Sequence, residues 1–302
     1  MRRLLPFIAA VLLFAPTWSH AWWNAEWTGR KKITLDTSAQ GAAVQEGLAT
    51  VPVLVRLHTG NFPFAEAHMD GNDLRFVAED DKTPLKFHVD KFDGVNELAL
   101  VWVQVPTLAP NSATGHVWLY YGNDKAPPAG EAKGTYDATH TLVLHFAEPD
   151  GAFKDATAYA QPVAASGVRG GGTGVADGAA LFDGNGNVRV TGPALKITPA
   201  GFTASAWVKP ADATRSATLF AQQDGTNAIA VLVEQGKVFA RVLGVDTAKV
   251  DLPVGGWHHV ALPVGVRAVL YVDGKKAGSA AAEAVAMTGE FQIGQGIAVE
   301  ID

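Results

Sequence analysis

Short apolar or alternating runs, separated by turn-forming residues, recur along almost the whole chain. Examples are TVPVLVRLH (50–58), ELALVWVQV (97–105), AIAVLVE (228–234) and RAVLYVDGK (267–275). Runs of this length with period-two alternation are typical of half-buried β-strands. Strands spaced by about ten residues, with Gly, Pro, Asn or Asp between them, indicate antiparallel sandwiches or barrels. We therefore predict an all-β fold, with NFPFAEAHMD (61–70) as the one candidate for a helical turn.

Length and composition divide the chain into two parts. A chain of 302 residues exceeds the usual size of one domain, and APPAGEAKGTYD (126–137) is polar and contains two prolines. We predict two consecutive antiparallel β-sandwich domains, over 22–126 and 138–302, joined by a linker over 127–137. Because the sequence ends inside the strand-like run FQIGQGIAVEID, we expect the second domain to be truncated at its C-terminus.

The first 21 residues have the pattern of a secretory signal peptide. Arg2 and Arg3 precede an apolar run that ends at Phe14, and Ser19-His20-Ala21 forms a small-x-small cleavage site. We expect cleavage before Trp22, because the apolar run is shorter than the ~20 residues of a membrane span. The chain has no cysteine, so its fold cannot rest on disulfides. These features favour secretion across the inner membrane into a bacterial periplasm.

The charge balance argues against a nucleic-acid partner. The formal net charge is −6, and the only dense basic cluster is GRKK (29–32). The glycine-rich stretch SGVRGGGTGVADG (166–178) lacks the Lys-Ser or Lys-Thr of a phosphate-binding loop. We predict that this stretch is a flexible loop.

Two adjacent histidines in GGWHHVAL (255–262) raise the question of a metal site. On a strand, His258 and His259 point to opposite faces and cannot bind one metal ion. Asp273-Gly274, further along, is a preferred dipeptide for a tight hairpin turn. We therefore predict β-sheet framework here, with one imidazole under the sheet and the other facing solvent or a groove.

Several segments in the second half carry a family resemblance. They resemble, in the same order, the LamG-like, concanavalin A-type jelly roll: ALFDGNGNVRV (180–190), GFTASAWVKP (201–210), ATLFAQQDG (217–225), GGWHHVAL (255–262) and LYVDGKKAGS (270–279). The resemblance covers about residues 138–302. It implies a concanavalin A-like jelly roll that recognises its ligand through rim loops, with the Trp-His-His-Val segment as sheet framework.

The first half resembles a bacterial domain of unknown function. The segments that carry this resemblance span about residues 22–126 and include WWNAEWTGRKKITLD, VPVLVRLHTGNFPF, DGNDLRFVAEDDKTPLKFHVDKFD and GHVWLYYGN. Such domains commonly precede a LamG-like jelly roll, sometimes in proteins that continue into an ExbB/TolQ/MotA-type proton-channel subunit. The resemblance implies a cell-envelope module, and a periplasmic ectodomain if the gene continues.

The jelly-roll resemblance also directs attention to calcium. Many jelly rolls of this type hold Ca²⁺ in a rim loop through Asp, Asn and backbone oxygens. Asp183, Asn185 and Asn187 offer such oxygens at spacings of two residues in the glycine-rich segment DGNGN. We expect a loop here that can bind Ca²⁺. The alternative is a tight turn with Asx hydrogen bonds.

Aromatic residues at the mature N-terminus are candidates for ligand binding. Trp22, Trp23 and Trp27 occur together in WWNAEW, and sugar rings stack on indole faces. We predict a glycan-binding role for these three residues. The alternative is that they fill the core face of the first strand.

The residues do not favour catalysis. Glycoside hydrolysis needs two carboxylates at a defined separation, and hydrolases of the jelly-roll type usually place them on alternate residues of one strand. No Glu-x-Asp-x-Glu alternation occurs in the second half, and no G-x-S-x-G motif occurs anywhere.

Together these features predict a non-catalytic periplasmic module that recognises a glycan or an envelope protein, as the ectodomain of a proton-channel-type envelope system. The alternative is a free-standing, lectin-like secreted protein, and a glycoside hydrolase is less favoured.

Overall fold

The computed structural model describes residues 22–212, 214 and 216–302, so the predicted signal peptide lies outside the described residues. The N-terminal part contains these strands: β1 (Gly29–Thr34), β2 (Leu48–His58), β3 (Arg75–Val77), β4 (Phe87–Asp93), β5 (Leu98–Leu108) and β6 (His116–Tyr121). They form two three-stranded antiparallel sheets, with strand orders β1-β6-β3 and β2-β5-β4.

A hydrophobic core lies between these two sheets. Val117 and Leu119 of β6 and Val101 and Val103 of β5 are buried in it. Because side chains alternate along a strand, their neighbours in sequence lie on the outer faces of both sheets. The polar and aromatic side chains on these outer faces are therefore available for contacts outside the core.

Helix is scarce in the described part of the chain. Residues Phe64–Glu66 form a short 3-10 turn, which confirms the helical turn predicted within 61–70. The segment predicted as linker, 127–137, contains a one-turn helix, α1 (Ala132–Thr135), and a second 3-10 turn covers Pro193–Leu195. None of the described helices is long and apolar enough to cross a membrane.

The rest of the chain is built from further strands: β7 (Val163–Thr173), β8 (Gly178–Val190), β9 (Phe202–Pro210), β10 (Ala217–Asp224), β11 (Asn227–Glu234), β12 (Lys237–Val242), β13 (Val245–Asp246), β14 (Val250–Asp251), β15 (His258–Val264), β16 (Ala268–Val272), β17 (Lys275–Ala280), β18 (Phe291–Gln295) and β19 (Ala298–Ile301). They join in one antiparallel sheet with the order β13-β12-β11-β10-β18-β8-β19-β9-β15-β16-β17, in which β7 and β14 pair with β8 and β12. Its buried side chains form a hydrophobic cluster separate from that of the N-terminal part. The prediction of an all-β fold is confirmed.

The prediction of a loop over 166–178 is wrong for most of that stretch. Residues up to Thr173 belong to β7, which pairs with β8 through two register shifts. Glycine allows the two backbones to approach closely. A Cβ at Gly172 would lie 2.9 Å from the carbonyl oxygen of Ala179, and one at Gly186 would lie 2.3 Å from that of Gly167. Glycine here indicates close strand pairing rather than a loop.

The histidine pair lies in β15, as predicted. His258 is on the same face as the buried Val260, whereas the His259 ring packs on Trp207 on the other face, with 5.2 Å between ring centroids. Asp273 and Gly274 have φ values of 50° and 72°, which confirms the predicted tight turn. Asp273 also accepts hydrogen bonds from His258 Nδ1 and the His259 backbone N–H, both at 2.9 Å.

A buried carboxylate organises the segment between α1 and β7. Asp155 Oδ1 accepts the backbone N–H groups of Val143 and Thr157, each at 3.0 Å, and Oδ2 accepts the Thr157 hydroxyl at 2.7 Å and the Gln161 N–H at 2.9 Å. Asp155 is only 8% exposed, so these donors would lose their acceptor without gaining water. One side chain therefore ties together residues that are up to 18 positions apart.

Replacing Asp155 tests this organising role. We expect Asp155→Ala to lower the free energy of unfolding by about 3 kcal/mol, because several hydrogen bonds to a buried charged group are lost. Urea denaturation followed by circular dichroism measures the change. Asp150→Ala is the matched control, since Asp150 is exposed and accepts only the Ala152 N–H, at 3.0 Å. Equal losses in the two variants would contradict the role of Asp155.

Candidate functional site

The outer face of sheet β1-β6-β3 carries a surface of aromatic rings. The alternation of β6 places His116, Trp118 and Tyr120 on this face, opposite the core residues Val117 and Leu119. Residues 22–28 pass over the same face, where Trp23 and Trp27 form a small hydrophobic cluster with Val77 and Tyr120 outside the main core. We call this face the aromatic surface; its rings are those of Trp22, Trp23, Trp27, His116, Trp118 and Tyr120.

The three tryptophans predicted to bind a ligand lie at different depths. Trp27 is only 6% exposed, and its indole N–H donates to the Asp73 carbonyl oxygen at 2.6 Å. Trp23 is half-buried, with ring centroids 5.3 Å from Trp27 and 5.7 Å from Tyr120. Trp22 is 38% exposed and meets the Tyr120 ring edge-on at 5.8 Å. Trp22 thus presents its ring to solvent, whereas Trp27 supports the surface from below.

Arg30 of β1 lies among these rings. The centre of its guanidinium is 4.2 Å from the centroid of Trp118 and 5.4 Å from that of Trp22. A guanidinium at such distances is attracted to the π-faces of the rings. The Arg30 side chain is only 19% exposed, so it joins an exposed tryptophan to a half-buried one.

Asp81 holds the arginine and the tyrosine in place. Its Oδ2 accepts a hydrogen bond from Arg30 at 2.5 Å, and its Oδ1 accepts the Tyr120 hydroxyl at 2.5 Å. The Tyr120 oxygen in turn accepts the Trp23 backbone N–H at 2.9 Å. Burial, together with the Asp81 carboxylate, raises the pKa of Tyr120, so its hydroxyl remains a donor. This network holds the first residues of the described chain against the sheet.

Two further groups extend the surface along β6. The His116 ring meets Trp118 edge-on at 5.3 Å, and its Nδ1 lies 3.3 Å from Glu79 Oε1. The Trp118 indole N–H is buried and makes no hydrogen bond within the described part of the protein. A buried donor without an acceptor is uncommon and costs about 1–3 kcal/mol.

The residues predicted to bind calcium lie in a strand, so the prediction of a loop over 183–187 is wrong. Asp183 and Asn187 belong to β8, where they pair with Ala298 of β19 and Ser166 of β7. The stretch pairs on both sides because its glycines permit a bend, with φ +97° at Gly184.

The oxygens of these residues are used unequally. Asp183 Oδ1 accepts the Asn185 N–H at 2.9 Å, and this bond holds the pKa of Asp183 below its usual range. The Asn187 Oδ1 atom is buried and has no hydrogen-bond partner among the described residues. No group of three or more His, Cys, Asp or Glu residues with metal-binding geometry occurs within 22–212, 214 and 216–302. Calcium binding by Asp183, Asn185 and Asn187 stays a prediction.

Sequence reasoning did not find Arg30, Asp81 or Tyr120 as parts of this surface. Trp118 lies in an apolar run, GHVWLYYG, which by itself favours a core position. The signal was the spacing of His116, Trp118 and Tyr120 at every second residue, which places all three on one face of a strand. Asp81 gave no such signal, because its partners lie far from it in sequence.

Removing the Arg30 guanidinium tests how the surface is held together. We expect Arg30→Ala to lower the free energy of unfolding by about 2 kcal/mol, because Trp118 loses its cation and Asp81 loses its counter-ion. Urea unfolding followed by tryptophan fluorescence measures the change. Arg189→Ala is the control, since Arg189 faces Glu290 at 3.6 Å on the exposed surface, and we expect a loss of less than about 1 kcal/mol there. If Arg30→Ala also lowered the free energy of unfolding by less than about 1 kcal/mol, Arg30 would not hold the aromatic surface together.

Two family models match parts of the chain. Residues 70–157 match a domain of unknown function (DUF2341), and residues 182–298 match the concanavalin A-like lectin/glucanases superfamily. Neither match bears on an ExbB/TolQ/MotA-type partner. A search of curated proteins gives no match.

Similar solved structures include binding domains of botulinum neurotoxins. The serotype G binding domain shares 12% sequence identity with a TM-score of 0.45, covering 54% of this chain and 46% of that domain. The receptor-binding domain of botulinum neurotoxin D shares 11% identity with a TM-score of 0.42, covering 55% of this chain and 48% of that domain. This chain therefore spans about half the length of those structures. The second part of the chain is a concanavalin A-like jelly roll, and a domain of unknown function precedes it.

Proposed function

We propose that this chain is a non-catalytic binding module of the bacterial cell envelope and that it recognises a glycan through the aromatic surface. The observation that carries the proposal is the exposed indole of Trp22, which packs against Tyr120 and Arg30. An exposed aromatic ring held by a network of ionic and hydrogen bonds offers a ready face for a flat, apolar partner.

Pyranose rings meet this requirement. One face of a pyranose presents C–H groups that pack on an indole, while its hydroxyls remain free to bond with polar groups nearby. Arg30 and Asp81 fix the surface before a ligand arrives, so little side-chain freedom is lost on binding. Trp23 and Trp27 support the exposed ring from below rather than meeting the sugar face-on.

The second part of the chain is consistent with a sugar ligand. It matches a superfamily whose description names lectins together with glucanases. Its oxygen donors Asp183, Asn185 and Asn187 would supply a weak site for Ca²⁺, a cation that prefers carboxylate and carbonyl oxygens. The buried Asn187 carbonyl oxygen, which has no hydrogen-bond partner in the part of the chain that the structure describes, is the strongest support for that ion.

Glycan binding is tested with an array probed in the presence and absence of Ca²⁺. We expect binding above background, and roughly tenfold weaker binding in Trp22→Ala, because about 1.4 kcal/mol of ring stacking is lost. The control is Trp257→Ala, since Trp257 lies beside Lys209 in the jelly roll, far from Trp22 in sequence.

Three outcomes would count against the proposal. The first is no binding to any glycan with or without Ca²⁺, and the second is equal weakening in Trp22→Ala and Trp257→Ala. The third is release of reducing sugar from a polysaccharide panel, which would indicate a glycoside hydrolase. Binding that needs Ca²⁺ and is lost in Asp183→Ala would assign recognition to the jelly roll instead of the aromatic surface.

The periplasmic setting and attachment to an ExbB/TolQ/MotA-type partner are a further part of this proposal. Their support is the resemblance of the N-terminal half to a domain found in such proteins. If they hold, the gene read beyond residue 302 encodes apolar spans of about 20 residues. A stop codon shortly after residue 302 would instead favour the free-standing lectin-like protein.

A further inference from the structure

The contact between the two parts of the chain is polar and buried. The outer face of sheet β2-β5-β4 carries His88 and Asp90 on β4 and Trp102 and Gln104 on β5. Against this face lie α1 and the segment that follows it, which we call the covering segment (136–146). The hydrophobic clusters on either side remain separate. Hydrogen bonds and ion pairs therefore make up much of this junction.

A chain of hydrogen bonds crosses the junction. The Tyr136 hydroxyl and His145 Nε2 share a hydrogen bond of 3.0 Å, and His145 Nδ1 lies 3.1 Å from Asp90 Oδ2. The same oxygen accepts the Trp102 indole N–H at 3.2 Å. The Asp90 side chain is 2% exposed and that of His145 is 11% exposed. Because a carboxylate oxygen only accepts, the His145 nitrogen that faces Asp90, Nδ1, carries a proton.

One buried nitrogen of the junction, Nδ1 of His88, has no hydrogen-bond partner among the described residues. The ring centroid of His88 is 5.0 Å from that of His145 and 6.5 Å from that of Tyr136. A neutral imidazole can leave one nitrogen unprotonated, but an imidazolium carries protons on both and would place an unsatisfied N–H in the junction.

Other charged groups around the junction are paired. Lys91 Nζ lies 2.5 Å from Asp177 Oδ1 and joins β4 to the turn between β7 and β8. The remaining pairs join groups at the rim or within one part of the chain: Lys86 with Glu131 at 3.3 Å, His140 with Asp137 at 2.9 Å, and the Ala176 N–H with Asp302 Oδ2 at 2.7 Å. None of these bonds is made to His88.

We propose that the junction is acid-sensitive: proton uptake by His88 separates the covering segment from sheet β2-β5-β4 and lets the two parts of the chain move apart. His88 is the proton acceptor because its imidazole has a free nitrogen in the closed junction, and separation lets water reach both nitrogens. This behaviour is independent of the proposed glycan binding, because the aromatic surface lies on the other sheet of the N-terminal part.

The direction of the pH effect follows from the two states of His88. Burial, reinforced by the nearby His145, lowers the pKa of His88 in the closed junction from its ordinary value near 6.5 to about 4. The open form therefore binds a proton over a pH range in which the closed form does not. The closed form is favoured fully above pH 6.5, and this advantage is lost as the pH falls towards 4.

Two other groups near the junction, Tyr136 and Asp302, have shifted pKa values. Burial, together with Asp90, raises the pKa of the Tyr136 hydroxyl, so it stays protonated throughout this range. Burial, with a contribution from Asp90 across the junction, raises the pKa of Asp302, so protonation of Asp302 favours the closed form and opposes the effect of His88. Taken alone, proton uptake by His88 raises the ratio of open to closed forms by at most about tenfold per pH unit, or roughly 80-fold between pH 6.5 and 4, and Asp302 makes the observed rise smaller.

The absence of cysteine allows a direct test in the full chain. Val95→Cys and Val266→Cys place one spin label on each part, because these valines are 92% and 89% exposed. Double electron–electron resonance spectroscopy then gives the distance between the two labels at pH 7.5, 6.0 and 4.5. We expect one narrow distance at pH 7.5 and a reversible, longer and broader population at pH 4.5. Circular dichroism at each pH reports whether the sheets remain folded.

Three variants identify the responsible group. His88→Asn keeps a neutral polar side chain and should abolish the pH dependence, whereas His58→Asn, on β2 away from the junction, should leave it intact. Lys91→Gln removes the ion pair to Asp177 and should raise the open population at every pH without changing its pH dependence. If His88→Asn does not fold, the distance between labels as a function of pH, measured with the junction residues unchanged and in Lys91→Gln, still shows whether acid opens the junction.

Two results would overturn the proposal. One is an unchanged distance at pH 4.5 in both the unaltered junction and Lys91→Gln while circular dichroism remains native. The other is acid opening in His88→Asn equal to that of the unaltered junction.

Discussion

The alternation of side chains along β5 and β6 is the constraint on which the arrangement of the N-terminal part depends. A three-stranded sheet in a chain without cysteine must bury one face to be stable, and Val101, Val103 and Leu119 do so. The outer faces are then available for other contacts. One of them carries the aromatic surface around Trp118, and the other carries His88 and Asp90 at the junction. Both proposed activities therefore use the faces that core formation leaves unoccupied.

Carboxylates hold segments together in a chain that has no disulfides. Asp73 is fully buried and accepts the N–H groups of His68, Gly122 and Asn123, while its carbonyl oxygen accepts the Trp27 indole. Asp81 accepts from donors 51 and 39 positions away, and Asp155 accepts from donors up to 12 positions away. Each links strands and loops that the main-chain ladders leave unconnected. Unlike a disulfide, such a carboxylate contributes a stabilising free energy that depends on how deeply it is buried and on how many donors it accepts.

Much of the fold could be predicted from local patterns, whereas the site and the junction could not. Alternation predicted β15, and Asp273-Gly274 predicted its hairpin turn, because both depend on neighbouring residues. The glycines of 166–178 and 183–187 were interpreted as loops, since the close strand pairing that requires them is visible only in three dimensions. The spacing of His88 and Asp90 places them on one face. Their partner His145, however, lies 55 residues beyond Asp90, and local sequence does not indicate such pairings.

The composition of the junction also has a mechanical consequence. A contact held by a few short polar bonds, such as Lys91 with Asp177 and His145 with Asp90, yields over a small displacement, whereas shearing a strand ladder breaks many bonds together. Under tension the two parts would come apart before either unravels. The 15 residues from Tyr121 to Tyr136 would then span up to roughly 50 Å in total. Stretched in this way, the chain would act as a tether with a built-in reserve of length.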